Sequence, residues 1–315
     1  MTARTVPPDW RPVVGRAGGR YRLAFRGRDI GSVTGEFTDA DVMLGQAIGT
    51  GVGHLLLSPW ISLVPAEAGL ADARAVCEVH NSALAALTAA RPGRLSAVGA
   101  VVLQDPALAA RQIADLVTGY GLAGAEIPAS VGGRYLGDDF FLPFWEAAEA
   151  AGALVFVHPT TRGFAVPALD QYYLWNSVGN PVETAIAGAH LAMAGVLERF
   201  PRLRVLLAHG GGALPVVRGR LRRAFAVRPE ARAALVSGPD TALRRFYYDT
   251  VTHDHDLLAD LVRYAGPGQV LLGSDRPFDM GTDDPAGEVR ALGLGAAESL
   301  VLGGTAARLL GVPRD

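Results

Sequence analysis

Short apolar runs alternate with longer amphipathic stretches through most of this chain, and that alternation constrains the fold more than any single residue does. The runs lie at residues 54–57, 95–103, 124–128, 154–158, 204–209, 246–250 and 270–275. Six of the seven are rich in Val, Ile, Leu or Tyr with little polar–apolar alternation, the pattern of strands covered on both faces. The run beginning GAEIPA carries the weakest strand signal. Between the runs, helical patterns occupy residues 72–89, 106–119, 140–151, 181–199, 214–227 and 256–265, and a short one at 286–292 follows the last run. Strand and helix alternating at this spacing give parallel βαβ units.

No internal stretch shifts composition toward a linker, so residues 1–315 read as one domain. Seven units are visible, whereas a barrel of this kind closes with eight strands. The expected fold is α/β, a distorted (β/α)8 TIM barrel whose first strand is short or degenerate. Room for that strand exists only before residue 54. Residues 11–36 are rich in Gly and Arg and weakly periodic, so they predict a long loop or small excursion. The first strand is then expected near residues 1–6.

Composition narrows the chemistry. A chain of 315 residues that is 50% hydrophobic can bury a large core. A net charge of −2, with no basic stretch interleaved with aromatics, argues against nucleic acid and acidic membrane surfaces as partners. No apolar run reaches the length of a bilayer span and the N-terminus lacks an apolar signal core, so a soluble, cytoplasmic protein with a small-molecule substrate is expected. The one cysteine, Cys77, lies in a helical pattern, excludes an internal disulfide and a thiolate-rich metal site, and reads as a buried thiol. All 29 cationic side chains are Arg, which removes Schiff-base, lysine-base and carbamylated-lysine chemistry.

Functional side chains of a parallel barrel sit at the C-terminal strand ends. His158 closes the run in VFVHPT. His209 closes the run in VLLAHGGGALP, where three glycines let the backbone turn tightly and approach a ligand. Asp275 ends the run in VLLGSDRPF. Two His and one Asp in these places supply a two-His, one-carboxylate metal set, and equally an acid/base group. The segment YYDTVTHDHD brings Asp249, His253, Asp254 and His255 together; it reads as a loop opening a helix, with Asp254 or Asp256 as the cap. His54, His80 and His190 read as structural. The stretch TTRGFAVPALDQYYLWN, residues 160–176, follows the fifth strand and offers Phe164, Tyr172, Tyr173 and Trp175 as a wall for a flat substrate. Phe37 and Trp60 fit either a wall or packing.

At these residues the sequence resembles the amidohydrolase-related family that contains 2-amino-3-carboxymuconate-6-semialdehyde decarboxylase and resorcylate-type decarboxylases. The likeness runs from about residue 38 to 311 and is most specific in VHP, GNPVETAIAGAHLAMAGVLERFP, HGGGALPVVRGR, FYYD and LGSDRPF. It implies a distorted (β/α)8 barrel and a divalent metal, usually zinc, held by an H-x-H pair on the first strand, by His158 and by Asp275. It implies His209 as the catalytic imidazole. It also implies that Arg220 reaches across a homodimer interface to the substrate carboxylate, a role Arg162 can share. Trp175 and Tyr172 would then bind the substrate.

The chain departs from that pattern. Aligning VPPDW with the family puts Thr2 and Arg4 where the H-x-H pair should stand. Thr is a poor zinc ligand and Arg repels a cation. Gly31 occupies the place of a substrate-binding Arg, and the helix near Met43 lacks another. The expected protein is therefore a carbon–carbon lyase of the decarboxylase type, or a hydrolase, with an altered metal site. A metal-independent acid/base enzyme (hydration, cyclisation or hydrolysis) and a non-catalytic homologue remain as alternatives.

Overall fold

The computed structural model describes residues 8–17, 20–25, 28–33, 35–37, 39–160 and 166–312. It opens with an antiparallel meander, β1 (Val13–Ala17), β2 (Arg20–Phe25) and β3 (Arg28–Val33). This is the small excursion the weak periodicity predicts. Trp10 and Phe25 pack ring against ring at 5.8 Å beneath it. The first barrel strand, expected near residues 1–6, lies outside the described residues.

A seven-stranded parallel sheet follows. Its strands are β4 (Leu55–Leu57), β5 (Leu95–Ala100), β6 (Gly124–Pro128), then β9 (Leu154–His158), β10 (Arg204–Leu207), β11 (Tyr247–Asp249) and β12 (Val270–Leu271), hydrogen-bonded in that order. A hairpin, β7 (Ser130–Val131) with β8 (Arg134–Tyr135), interrupts the count. Neighbours in space are neighbours in the chain, as in the wall of a (β/α)8 barrel. The bounds of β6 and β9 are those the sequence predicts. The last strand is shorter, two residues rather than six, because the chain leaves the sheet before Asp275.

Helices α1 (Ala40–Gly49), α2 (Leu70–Ala89), α3 (Pro106–Thr118), α4 (Leu142–Ala151), α5 (Asn180–Met193) and α6 (Val196–Arg199) cover the first half. Helices α7 (Leu214–Val227), α8 (Pro239–Leu243), α9 (His255–Ala265), α10 (Pro285–Ala291) and α11 (Thr305–Leu310) complete the set. The single helix expected over 181–199 is two. Gly195 breaks it at φ 70°, in the left-handed region, where a Cβ would stand 2.7 Å from the carbonyl oxygen of Ala234. The residue pattern gave no sign of α8 or α11. No helix among the described residues is long and apolar enough to cross a membrane.

Alternate strand residues face opposite ways, and the two faces meet different partners. Ala125, Ile127, Val155, Val157, Val205 and Leu207 pack outward under the helices. Val98, Leu154, Leu206 and Leu271 meet inside, joined by Leu56. Leu56 and Leu271 belong to the two edge strands, so their sharing one core shows how far the sheet curls. Ala306, Leu309 and Leu310 of α11 plug the same core. Each buried Leu there contributes roughly 1.5–3 kcal/mol.

The end of β5 is tied to α2 by Asn81. Its amide nitrogen donates to the Ala100 carbonyl at 3.0 Å, and its Oδ1 accepts from the Ala100 N–H at 2.7 Å. Gly99 permits the approach, since a Cβ there would lie 2.5 Å from Oδ1. Asn81 is buried, so removing the amide leaves two backbone groups without it and without water. Asn81→Ala is expected to lower the unfolding free energy by about 1–3 kcal/mol in a urea titration; a smaller loss would mean the tie is not used.

Candidate active site

His158, His209 and Asp275, called from three separate stretches, meet at one rim of the sheet. One ligand atom from each lies within 4.8 Å of the others. His158 is the last residue of β9, His209 follows β10, and Asp275 follows β12. The imidazoles of His158 and His209 stand edge to face, 5.0 Å between centroids.

The proton positions follow from the partners. His158 Nδ1 lies 2.8 Å from the Pro159 carbonyl oxygen, which can only accept, so Nδ1 carries the hydrogen and Nε2 keeps its lone pair. Burial, then the neighbouring His209, lower the His158 pKa to about 4, against the opposing pull of Asp275. His158 is therefore neutral near pH 7. His209 Nε2 is 3.7 Å from Asp275 Oδ2, an ion-pair distance too long for a hydrogen bond. Burial alone would lower the His209 pKa, but the Asp275 carboxylate, helped by Asp249, holds it above its ordinary value. Burial likewise opposes ionisation of Asp275, yet His209, His158 and His253 keep its carboxyl below the usual range.

The backbone at this rim is strained. Among the described residues, five non-glycines have left-handed φ: Tyr172, Tyr173, His209, His253 and Asp275. All five belong to the loops around the site, where such outliers concentrate. After His209 the chain turns through Gly210 and Gly212. A Cβ on Gly212 would stand 2.2 Å from the Pro181 carbonyl oxygen, so no other residue fits. Asp249 holds this turn: its carboxylate accepts the N–H of His209 at 2.9 Å, of Gly210 at 2.8 Å and of Val251 at 3.0 Å. Glu183 does the same for the loop after β9, accepting the N–H of Thr160 at 2.8 Å and its hydroxyl at 2.7 Å. Residue type alone did not mark Asp249 or Glu183 as struts. The available signal was an Asp closing the strand run in FYYD and a Glu following GNPV.

A cavity of about 1820 Å³ opens beside the trio. Phe37, Trp60 and Phe278 form one wall, their rings 5.1–6.0 Å apart. Tyr173 and Trp175, 4.9 Å apart, form another. Tyr172, expected in that wall, is instead 86% exposed and does not line the cavity, because the left-handed turn gives its neighbour Tyr173 the inward position. His253 lines the cavity and influences Asp275, although the sequence favoured a purely structural loop role. Asp254 caps α9 as expected, accepting the Leu257 N–H at 2.8 Å.

Arg220 is exposed on α7 and does not line the cavity of its own chain. Arg162, Phe164, Thr2 and Arg4 lie outside the described residues. His54 is held by Gly93 and Ser96, and His190 stacks on Tyr135. Cys77 is fully buried and its thiol is pushed up to about 12, which makes it inert.

The trio fits a divalent metal. It offers neutral imidazole and carboxylate donors, and the outer nitrogen of His158 is fixed by a backbone carbonyl, the usual support for a ligating His.

Residues 63–312 match the family model described as Amidohydrolase. A 2-amino-3-carboxymuconate-6-semialdehyde decarboxylase of Dictyostelium discoideum is 31% identical over 244 residues, which span 76% of this chain and 68% of the relative. The solved 5-carboxyvanillate decarboxylase of Sphingomonas paucimobilis superposes with a TM-score of 0.77 at 28% identity, over 87% of this chain and 84% of that one. A dihydroxybenzoic acid decarboxylase of Polaromonas, solved with bound manganese and 2-nitroresorcinol, shares the fold at a TM-score of 0.78 and 23% identity, over 88% and 86% of the two chains.

The His158 environment has a sign that stability can read. Its folded pKa is about 4, below the roughly 6.5 of an unfolded chain. The unfolded state therefore takes up the proton first, and stability falls as pH drops from about 6.5 toward 4. His209 works in the opposite sense, adding stability below about 6.5 that is lost as pH rises through its raised pKa. Urea midpoints of metal-free wild type and His158→Gln between pH 7 and pH 4 separate the two. The variant should lose less stability on the acid side; parallel curves would contradict the buried, neutral imidazole.

Proposed function

The chain belongs to the amidohydrolase family, and we propose that within it the chain acts as a carbon–carbon lyase, removing the carboxyl group of a small carboxylated aromatic or polyene acid. The observation that carries this reading is the meeting of His158, His209 and Asp275 within 4.8 Å at the strand ends. The relatives described above, decarboxylases of carboxylated substrates, support the same choice.

The charge around the cavity sets what such a substrate requires. Asp249, Asp275, Asp279, Glu126 and Glu36 line the cavity, while its described guanidinium groups are those of Arg94 and Arg276. Arg276 is occupied, pairing with Glu36 at 2.8 Å, with Asp283, and with Gln46 at 2.6 Å. A carboxylate substrate entering this acidic site needs a cation. His158 and Asp275 would hold a divalent metal, zinc by first expectation, which when bound supplies a Lewis-acidic centre for the substrate oxygens. Arg162 and an Arg220 from a second copy of the chain would add planar, bidentate contacts to the carboxylate. Arg220 stands free of its own cavity, and a homodimer would give it a substrate to reach.

Loss of carbon dioxide leaves an electron pair on the ring or chain carbon, and that carbon must take up a proton. His209 is the group to deliver it, since its imidazole stands at the cavity rim beside His158 and Asp275, the residues that would hold the metal. Asp249 fixes the backbone that carries it, accepting the His209 N–H at 2.9 Å. Trp175 and Tyr173 cover the flat substrate and exclude water.

A second reading is acid/base catalysis by His209 and Asp275 without a metal. Thr2 and Arg4, standing where an H-x-H pair is expected, favour it.

The two separate on metal content. In the first reading, His158→Ala and Asp275→Ala lose bound zinc or manganese, measured by plasma emission. His209→Ala keeps the metal and lowers kcat by about 100-fold or more. Full turnover with less than about one-tenth equivalent of metal would overturn the first reading and favour the second.

A further inference from the structure

The wall of Phe37, Trp60 and Phe278 joins three segments that are far apart in the chain, and one guanidinium spans two of them. Glu36 precedes Phe37 and is 4% exposed, and Arg276 stands two residues before Phe278. Arg276 Nε donates to Glu36 Oε2 at 3.2 Å and Nη2 donates to Oε1 at 2.8 Å, a two-pronged contact across 240 positions of sequence. Nη2 also donates to Gln46 Oε1 on α1 at 2.6 Å, and Nη1 donates to the Asp283 carboxylate. The ion pair and the Phe37–Phe278 ring contact at 5.1 Å are therefore two links between the same two segments. Each segment is closed on itself. The Asp39 N–H donates to the Gly35 carbonyl at 2.9 Å, which fastens the turn carrying Glu36 and Phe37 to α1. The Thr282 N–H donates to the Ser274 carbonyl at 2.8 Å, which closes the loop carrying Arg276 and Phe278. Closed in this way, each segment moves as a unit, and the ion pair carries the rings with it.

We propose that Arg276 and Glu36 are positioning residues that assemble this wall, so that the grip of the cavity on a flat ligand is set by an ion pair and not by the rings alone. The three rings are half-buried and line the cavity. Ring contacts are individually weak and tolerate several angles, so on their own they leave the two segments free to part. The fork of an Arg on a carboxylate has one geometry. A buried pair of this kind adds little net stability over apolar residues of the same volume, and its use here lies in fixing one arrangement. Arg276 acts through the rings and not on the substrate carboxylate, since its nitrogens are committed to Glu36, Gln46 and Asp283. The inference concerns which residues build the wall, and only the choice of a flat acid as its probe rests on the decarboxylase reading.

Two measurements on the metal-loaded protein test this. The first is acrylamide quenching of Trp60, read as the difference between each protein and its Trp60→Phe counterpart. Glu36→Gln and Arg276→Lys should each raise the quenching constant, as Phe37 and Phe278 withdraw from the indole. Arg276→Lys keeps the charge but not the fork, so a purely electrostatic role would spare it. The second is calorimetric binding of benzoate. Both variants should bind it about tenfold more weakly, with bound metal unchanged. In a Phe37→Ala background, Glu36→Gln should cost nothing further. Unchanged quenching, or unchanged affinity where the wild type binds benzoate, overturns the inference. So does tighter binding by Glu36→Gln, which would mean that the freed guanidinium takes the carboxylate. Loss of metal in either variant also overturns it, because the pair would then act through Asp275. A wild type that binds no benzoate counts against the carboxylated-aromatic reading, and the quenching result then decides the inference alone.

Discussion

The Asp249 carboxylate gathers three backbone N–H groups, those of His209, Gly210 and Val251, and this junction sets the site. His209 sits at φ 57° and Asp275 at φ 52°, where a residue with a Cβ costs on the order of 1–3 kcal/mol. Such a turn persists only when its surroundings over-determine it. Asp249 supplies that on the β11 side through charge-assisted bonds in a buried place, about twice as strong as neutral ones. Gly212, pressed against Pro181, supplies it on the α5 side. Glu183, also on α5, fixes the loop beyond His158 through Thr160. Two imidazoles and a carboxylate thus hold their places because buried acids bind the backbone around them. The acids that hold the turns and the groups that do chemistry are different residues.

That division explains what the residue pattern revealed. A parallel strand covered on both faces must be apolar throughout, so seven runs stood out, and two have the observed bounds. The meander of β1–β3 did not stand out, because its exposure breaks the alternation. Val13 is 66% and Val14 49% exposed, while Leu23 and Phe25 are buried. The weakest run, GAEIP, is nonetheless a complete strand. Its signal was diluted by Glu126, which faces the lumen. A charged residue inside a barrel layer reads as loop for the same reason that it marks a place for a ligand. Gly195, set among helix-forming residues, hid the break between α5 and α6, since a single glycine within a helical pattern is tolerated.

Site residues were legible where they ended strands, since an inward side chain at a C-terminal strand end has one direction to face. His158, His209 and Asp275 are of this kind. Residues in loops were not, because loop geometry decides their direction. Tyr172 and Tyr173 differ by one position, and the left-handed turn alone turns the second inward. His253 reaches the cavity by the same device. Asp249 was visible as an acid near His253 and His255, but its role depends on backbone N–H groups that arrive from forty residues away, and no local pattern encodes them.

The barrel interior is ordered by depth. Val98 and Leu154 pair with Gly124 at one level, Glu126 and Leu206 pair with Phe156 at the next, and Pro128 pairs with His158 above them. Hydrogen bonding between β6 and β9 fixes the spacing of these levels, so their separation does not depend on loop motion. Loops at the rim set which face of a ligand is covered. The strands set how deep it can reach, through the pairing of β6 with β9.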